Sequence, residues 1–154
     1  MIGIQGSGKS TWARANAERL RATVVASDEI RNELEAAGMD AMGLSDHVFA
    51  ILEERVDGLL AGGHNVIVDA THARRHWRQN VLVIGRRRRA RRVAVWFDLP
   101  LDAALARNQR KPGGGWGERE VPQALLLNVW RGFEPPSTEE FDEIWKPRGE
   151  EIGE

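Results

Sequence analysis

The chain opens on Gly3-Ile4-Gln5-Gly6-Ser7-Gly8-Lys9-Ser10, which fits the Walker A pattern G-x-x-x-x-G-K-[ST] at every fixed position. The pattern constrains the fold because it works only between a buried strand and the first turn of a helix. Its glycines let the backbone close around phosphates, so that successive N–H groups and a helix N-terminus point at negative charge. In that arrangement Lys9 reaches the β- and γ-phosphates and the Ser10 hydroxyl ligates Mg²⁺. The expectation is a site for ATP with Mg²⁺, lined by Gly6, Ser7, Gly8, Lys9, Ser10 and Thr11. Of 22 basic residues only Lys9, Lys111 and Lys146 are lysines, so an arginine-preferring chain keeps lysine in the slot where the motif requires it.

The rest of the chain reads as alternating strands and helices. Met1 to Gln5 is expected as a short buried strand, clipped because only two residues precede Gly3, and Gly8 to Leu20 as an amphipathic helix. Thr23 to Ala26 is a second strand, and Ser27-Asp28 is placed to cap a helix running to Leu34 or Ala37. Ser45 is expected to cap a helix through Val48, Leu52 and Val56 that ends at Gly62-Gly63. Asn65 to Asp69 is an apolar run of the buried parallel type that terminates in an acid. A helix from His72 to about Arg89 precedes a strand over Val93 to Phe97. Helices ending near Asn108 and covering Pro122 to Arg131 follow, and Phe141 to Trp145 closes the sheet. The acidic tail after Pro147 is expected to fray. The expected fold is α/β: a P-loop NTPase or kinase fold with a parallel five-stranded sheet and helices on both faces, forming a single domain over residues 1–154.

Asp28 and Asp69 each follow a strand's carboxyl end, the edge where open α/β sheets bind ligands. Asp69 fits a Walker B role, holding Mg²⁺ or facing the phosphate acceptor. Arg107, Arg110 and Lys111 precede Pro112-Gly113-Gly114-Gly115, and cations flanking a flexible segment suit a lid, about residues 107–120, closing over polyphosphate. The four histidines show no H-E-x-x-H or comparable ligand spacing and read as surface or packing residues.

Net charge is −1, but residues 1–70 sum to −5, residues 71–119 to +10 and residues 120–154 to −6. A basic middle between acidic flanks could dock a polyanion, although the run Arg86 to Arg92 falls on a helix-to-strand loop, opposite the ligand edge. Cysteine is absent and no signal or membrane segment is evident, which fits a cytoplasmic protein with no membrane partner.

Gly6 to Ala13, then Asp28-x-x-Arg31, Asp69-x-Thr71, Arg107-x-x-Arg110 and Phe133-Glu134-Pro135-Pro136 before a Phe-Asp-Glu strand together resemble the kinase domain of polynucleotide 5′-hydroxyl kinases. That family includes bacteriophage polynucleotide kinase and the kinase half of animal polynucleotide kinase-phosphatase. The resemblance implies phosphoryl transfer from ATP to the 5′-hydroxyl end of DNA or RNA, in nucleic acid repair. It implies Asp28 as general base, Arg31, Asp69 and Thr71 on the acceptor, Arg107 on the nucleotide and Arg110 as a catalytic lid residue. The chain departs from the family pattern at His72, where relatives often carry Asn. Two rivals use the same loop: a small-molecule kinase of the gluconate, shikimate or antibiotic kind, and an ATP-binding module that transfers nothing.

Overall fold

The computed structural model describes residues 1–147, so the acidic tail after Pro147 lies outside the described residues. In chain order the elements are α1 (Lys9–Asn16), β1 (Ala22–Ala26), α2 (Ser27–Ala36), α3 (Ser45–Ala61), β2 (Asn65–Asp69), α4 (Arg75–Arg87), β3 (Val93–Val95), α5 (Leu101–Gln109), α6 (Gln123–Arg131) and β4 (Glu143–Trp145).

β1 and β2 run parallel with Val24 opposite Ile67 and Val25 opposite Val68. Successive side chains of a strand point to opposite faces, and the packing follows that alternation. Val24 and Ile67 meet Trp12 and Ala13 of α1 on one face. Val25, Val66 and Val68 meet Ile30 and Leu34 of α2 and Val48, Leu52 and Val56 of α3 on the other. Helices therefore cover both faces here, and the register puts Asp69 beside Ala26, two residues before Asp28.

Among the described residues the five-stranded sheet is not shown: they form two parallel two-stranded sheets, β1–β2 and β3–β4. Met1 to Gln5 lies between them and contributes one isolated bridge, Ile2 with Trp96. Its links are the N-terminal amine donating to the Val68 carbonyl at 2.9 Å, the Ile2 amide donating to the Val95 carbonyl at 2.8 Å, and the Phe97 amide donating to the Ile2 carbonyl at 2.8 Å. At Gly3 a Cβ would fall 2.7 Å from the Ser7 Oγ and 2.9 Å from the Phe97 Cβ, so the close approach of the loop to Phe97 requires glycine there.

Other boundaries also differ. α1 stops at Asn16 rather than Leu20, and the chain turns through Arg21 with a positive φ of 47° into β1. Ser27 and Ser45 are not caps: each is the first residue of its helix, and the preceding Ala26 and Leu44 make no side-chain cap bond. Asp28 and Asp46 in the first turns supply the favourable negative charge instead. α4 begins at Arg75 rather than His72, because Glu134 holds the preceding residues open: its amide donates to the Ala73 carbonyl and its carboxylate accepts from the Arg75 amide, both at 2.8 Å. β4 begins at Glu143, since the Phe141 amide is spent on a turn to the Ser137 carbonyl.

Arg78 is 1% exposed and ties the C-terminal stretch to α4. Its Nε and one terminal nitrogen donate to the two Glu140 carboxylate oxygens, both at 2.8 Å, and its remaining bonds go to the carbonyls of His72, Glu134 and Pro135. Arg78→Met should lower unfolding free energy by about 3 kcal/mol, because it strands a carboxylate and three carbonyls at once. Urea unfolding measures this, and a midpoint equal to wild type would refute it.

Candidate active site

The Gly-rich loop closes around the Lys9 side chain. Gly6 and Gly8 adopt positive φ of 80° and 94°, which glycine tolerates and which turn the chain into α1. The Lys9 Nζ donates to the carbonyls of Gly3 at 3.0 Å and Ile4 at 2.8 Å, and more distantly to the Ser7 hydroxyl at 3.4 Å. Ser7 is fully buried, so its side chain supports the lysine from inside, whereas Ser10 is half-buried and Thr11 exposed. Burial lowers the Lys9 ammonium to about 8, against the opposing pull of Asp69 and Asp28.

Two carboxylates face that ammonium. Asp69 ends β2 and is buried. Asp28, in the first turn of α2, is half-exposed and lies 3.5 Å from an Arg31 guanidinium nitrogen. Burial raises the Asp28 carboxyl above the ordinary aspartate value, Arg31 opposes that, and the Asp69 charge adds to it. Thr71 follows two residues after Asp69 and is half-buried. The structure thus gathers Lys9, Asp28, Arg31 and Asp69 at the carboxyl ends of β1 and β2.

The segment after α5 lies against this group. Buried Asn108 holds its base, donating to the Val121 carbonyl at 2.8 Å and accepting from the Val121 amide at 2.9 Å. Its tip, Gly115 to Gly117, seats on α2. The Trp116 amide donates to the Asn32 Oδ1 at 2.6 Å, the indole Nε1 donates to Glu35 at 2.7 Å, and Arg119 donates to the other Glu35 oxygen at 3.0 Å. The guanidinium groups of Arg31 and Arg119 lie 5.0 and 4.6 Å from the indole centroid, within cation–π range. At Gly117, with φ of 87°, a Cβ would come within 3.3 Å of the Asp28 Oδ2.

Arg107 and Arg110 divide. Arg107 is half-buried and stands beside Gly6, while Arg110 is exposed at the end of α5. The cation whose charge reaches Asp28 and Lys9 is Lys111, itself lowered by burial. Sequence reasoning also passed over Asn32, Glu35, Trp116 and Arg119. A signal existed for the first two, since Asp28, Arg31, Asn32 and Glu35 recur at i, i+3, i+4 and i+7 on one helix face. His72 is buried beside Phe49, and burial lowers its pKa to about 3, which keeps it neutral. His47, His64 and His76 are exposed.

The arginine run engages acids elsewhere. Arg87 and Arg88 bind Asp57 at 2.8 and 2.7 Å, Arg92 binds Asp142 at 2.7 Å, and Arg91 pairs with Glu143. These arginines precede β3, whereas Asp69 ends β2 and Asp28 lies just beyond β1. Four of the run's six arginines are thus paired with three acids from the flanking segments, which reduces the charge available to a polyanion there.

Residues 1–136 match the AAA domain family. The chain belongs to that family. Among solved structures, this family member is similar to a gluconokinase from Sinorhizobium meliloti 1021, with 19% identity and a TM-score of 0.61 over 94% of this chain and 78% of the other. It is also similar to a kinase candidate from Chloroflexus aurantiacus j-10-fl, with 16% identity and a TM-score of 0.63 over 95% and 82%. A search of curated proteins gives no significant match. The fold is therefore that of P-loop kinases. Among the described residues, no helix is long and apolar enough to cross a membrane.

Proposed function

We propose that this AAA-domain protein transfers the γ-phosphoryl group of ATP to a hydroxyl of a small molecule. The observation that carries the choice of acceptor is the tip Gly115 to Gly117 seated on α2 against Asp28, Arg31 and Asn32. A lid of that kind encloses a small acceptor, while a polynucleotide end needs an open groove with a basic track leading from it. The gluconokinase among the structural neighbours supports the same reading.

In this reaction the bond from the γ-phosphorus to the ADP oxygen breaks and one to the acceptor oxygen forms. The acceptor's proton passes to the Asp28 carboxylate. Lys9 and the Gly6 to Thr11 backbone hold the phosphates, with Arg107 alongside. Arg31 orients the acceptor, and Lys111 takes the place given to Arg110 as the charge facing the transferred group. The Ser10 hydroxyl and the buried Asp69 carboxylate fit Mg²⁺, which accepts hard oxygen ligands beside phosphate and water. When bound, the ion neutralises phosphate charge.

Labelled ATP and Mg²⁺ offered with a panel of sugars, sugar acids, nucleosides and 5′-hydroxyl oligonucleotides tests the acceptor class. Label on one or a few small hydroxyl compounds is the expected result. Label on oligonucleotides alone would return the acceptor to the polynucleotide class, and ATP binding without any transfer would leave a nucleotide-binding module.

A further inference from the structure

The face of α2 that carries Asp28 continues through Arg31, Asn32 and Glu35, and each of these three engages Trp116. Asn32 holds the Trp116 backbone from both sides, accepting from its amide at 2.6 Å and donating to its carbonyl at 3.3 Å. Glu35 divides its two oxygens between the indole N–H and Arg119, and the indole first, then Arg119, holds its carboxyl below the ordinary glutamate value. Arg31 lies 5.0 Å from the indole centroid while keeping a nitrogen 3.5 Å from Asp28. The indole also packs against the apolar cluster that contains Ile30 and Leu34 of α2. The tip lies so close to the helix that a Cβ at Gly115 would fall 2.7 Å from the Asn32 Oδ1.

We infer that Trp116, Asn32 and Glu35 are positioning residues, a latch that holds Arg31 beside Asp28 and decides whether the transferred group meets the acceptor or water. This rests on the kinase reading of the site. Fixing a glycine-rich segment costs much conformational entropy, and the bonds to Asn32 and Glu35 together with the indole's packing offset that cost. Glu35 lies two helical turns, about 10 Å, beyond Asp28, so it acts on the reaction only through Trp116 and Arg119. With the tip seated, the indole fixes the Arg31 guanidinium and Gly117 stands against the Asp28 Oδ2. A released tip opens Asp28 to water. The bond from the γ-phosphorus to the ADP oxygen then breaks as one to a water oxygen forms, and the water's proton passes to Asp28. Among the described residues no hydrogen bond joins the three latch residues to residues 3–10, so ATP binding is independent of the latch.

The test compares Glu35→Ala and Trp116→Ala with Trp116→Phe, which keeps a ring beside Arg31 and Arg119 and loses only the N–H to Glu35. Both alanine variants should raise the KM for acceptor about tenfold, and the ratio of ATP hydrolysed to ATP transferred by a similar factor. Their ATP affinity should stay within about twofold of wild type, and Trp116→Phe should stay within about threefold of wild type in every readout. One readout needs no acceptor: trypsin should cut after Arg119 about tenfold faster in the ligand-free alanine variants than in wild type. An unchanged acceptor KM in both alanine variants, equal tryptic rates, or a loss of ATP affinity that matches the loss for acceptor would overturn the inference. Where no compound accepts phosphate, the kinase reading fails and the tryptic rates alone decide the latch. Faster cutting in both alanine variants but not in Trp116→Phe then supports it, and equal cutting sinks it.

Discussion

Lys9→Met is expected to lower kcat/KM for phosphoryl transfer by about 10³-fold, the loss of one preorganised charge aimed at the transferred group. Stability should not fall with it. The ammonium is buried among carbonyls and its folded pKa of about 8 lies below the ordinary 10.5. Between those values the unfolded chain binds the extra proton, so wild-type stability rises as pH increases from 8 to 10.5. The methionine variant should lack that rise and match or exceed wild type in urea at pH 7. A second consequence follows in binding. Triphosphate favours the charged lysine, so ATP affinity should weaken as pH rises through about 8, and calorimetry at about pH 8.5, where much of the free lysine is neutral, should register a proton uptake that Lys9→Met lacks. Full transfer activity in Lys9→Met would remove the loop from the reaction.

The conformation of the Gly-rich loop was legible in the sequence because backbone demands dictate it. Gly6 and Gly8 take φ values that other residues avoid, and Lys9 follows at fixed spacing. The helix-covered β1–β2 pair was legible too, since a continuous apolar run such as Val66-Ile67-Val68 needs cover on both faces. What resisted reading was long-range pairing. Nothing local marks Arg88 as the partner of Asp57 or Arg92 as that of Asp142, so a partly paired run read as uniformly basic. Arg78 pairs with Glu140, 62 residues on, which no local spacing marks. The Gly-rich stretch signalled mobility, but its partner face on α2 depends on how α5 aims the chain. That is why Lys111, rather than Arg110, faces Asp28. The five-stranded sheet is not shown among the described residues, where Met1 to Gln5 contributes only the isolated bridge of Ile2 with Trp96.

Asp28→Asn separates the two halves of the site most sharply. Because Asp28 belongs to α2 rather than to the Gly-rich loop, ATP binding should stay within about twofold of wild type, while transfer falls by about 10³-fold for want of a proton acceptor. The isosteric amide keeps contacts with Gly117 and removes only the base. The pH profile provides a readout that a structural role would not move. Burial raises the Asp28 carboxyl above the ordinary 3.8, and the group acts as a base only when ionised. Wild-type turnover should therefore decline as pH falls through that raised value, and the residual activity of Asp28→Asn should lack this acid limb. Arg31→Ala supplies the internal control: losing the guanidinium takes away the opposing charge, so the acid limb should move to higher pH as the KM for acceptor rises. Equal turnover in Asp28→Asn and wild type would take the proton transfer away from Asp28, and Asp69, the other carboxylate facing Lys9, would then be the group to replace.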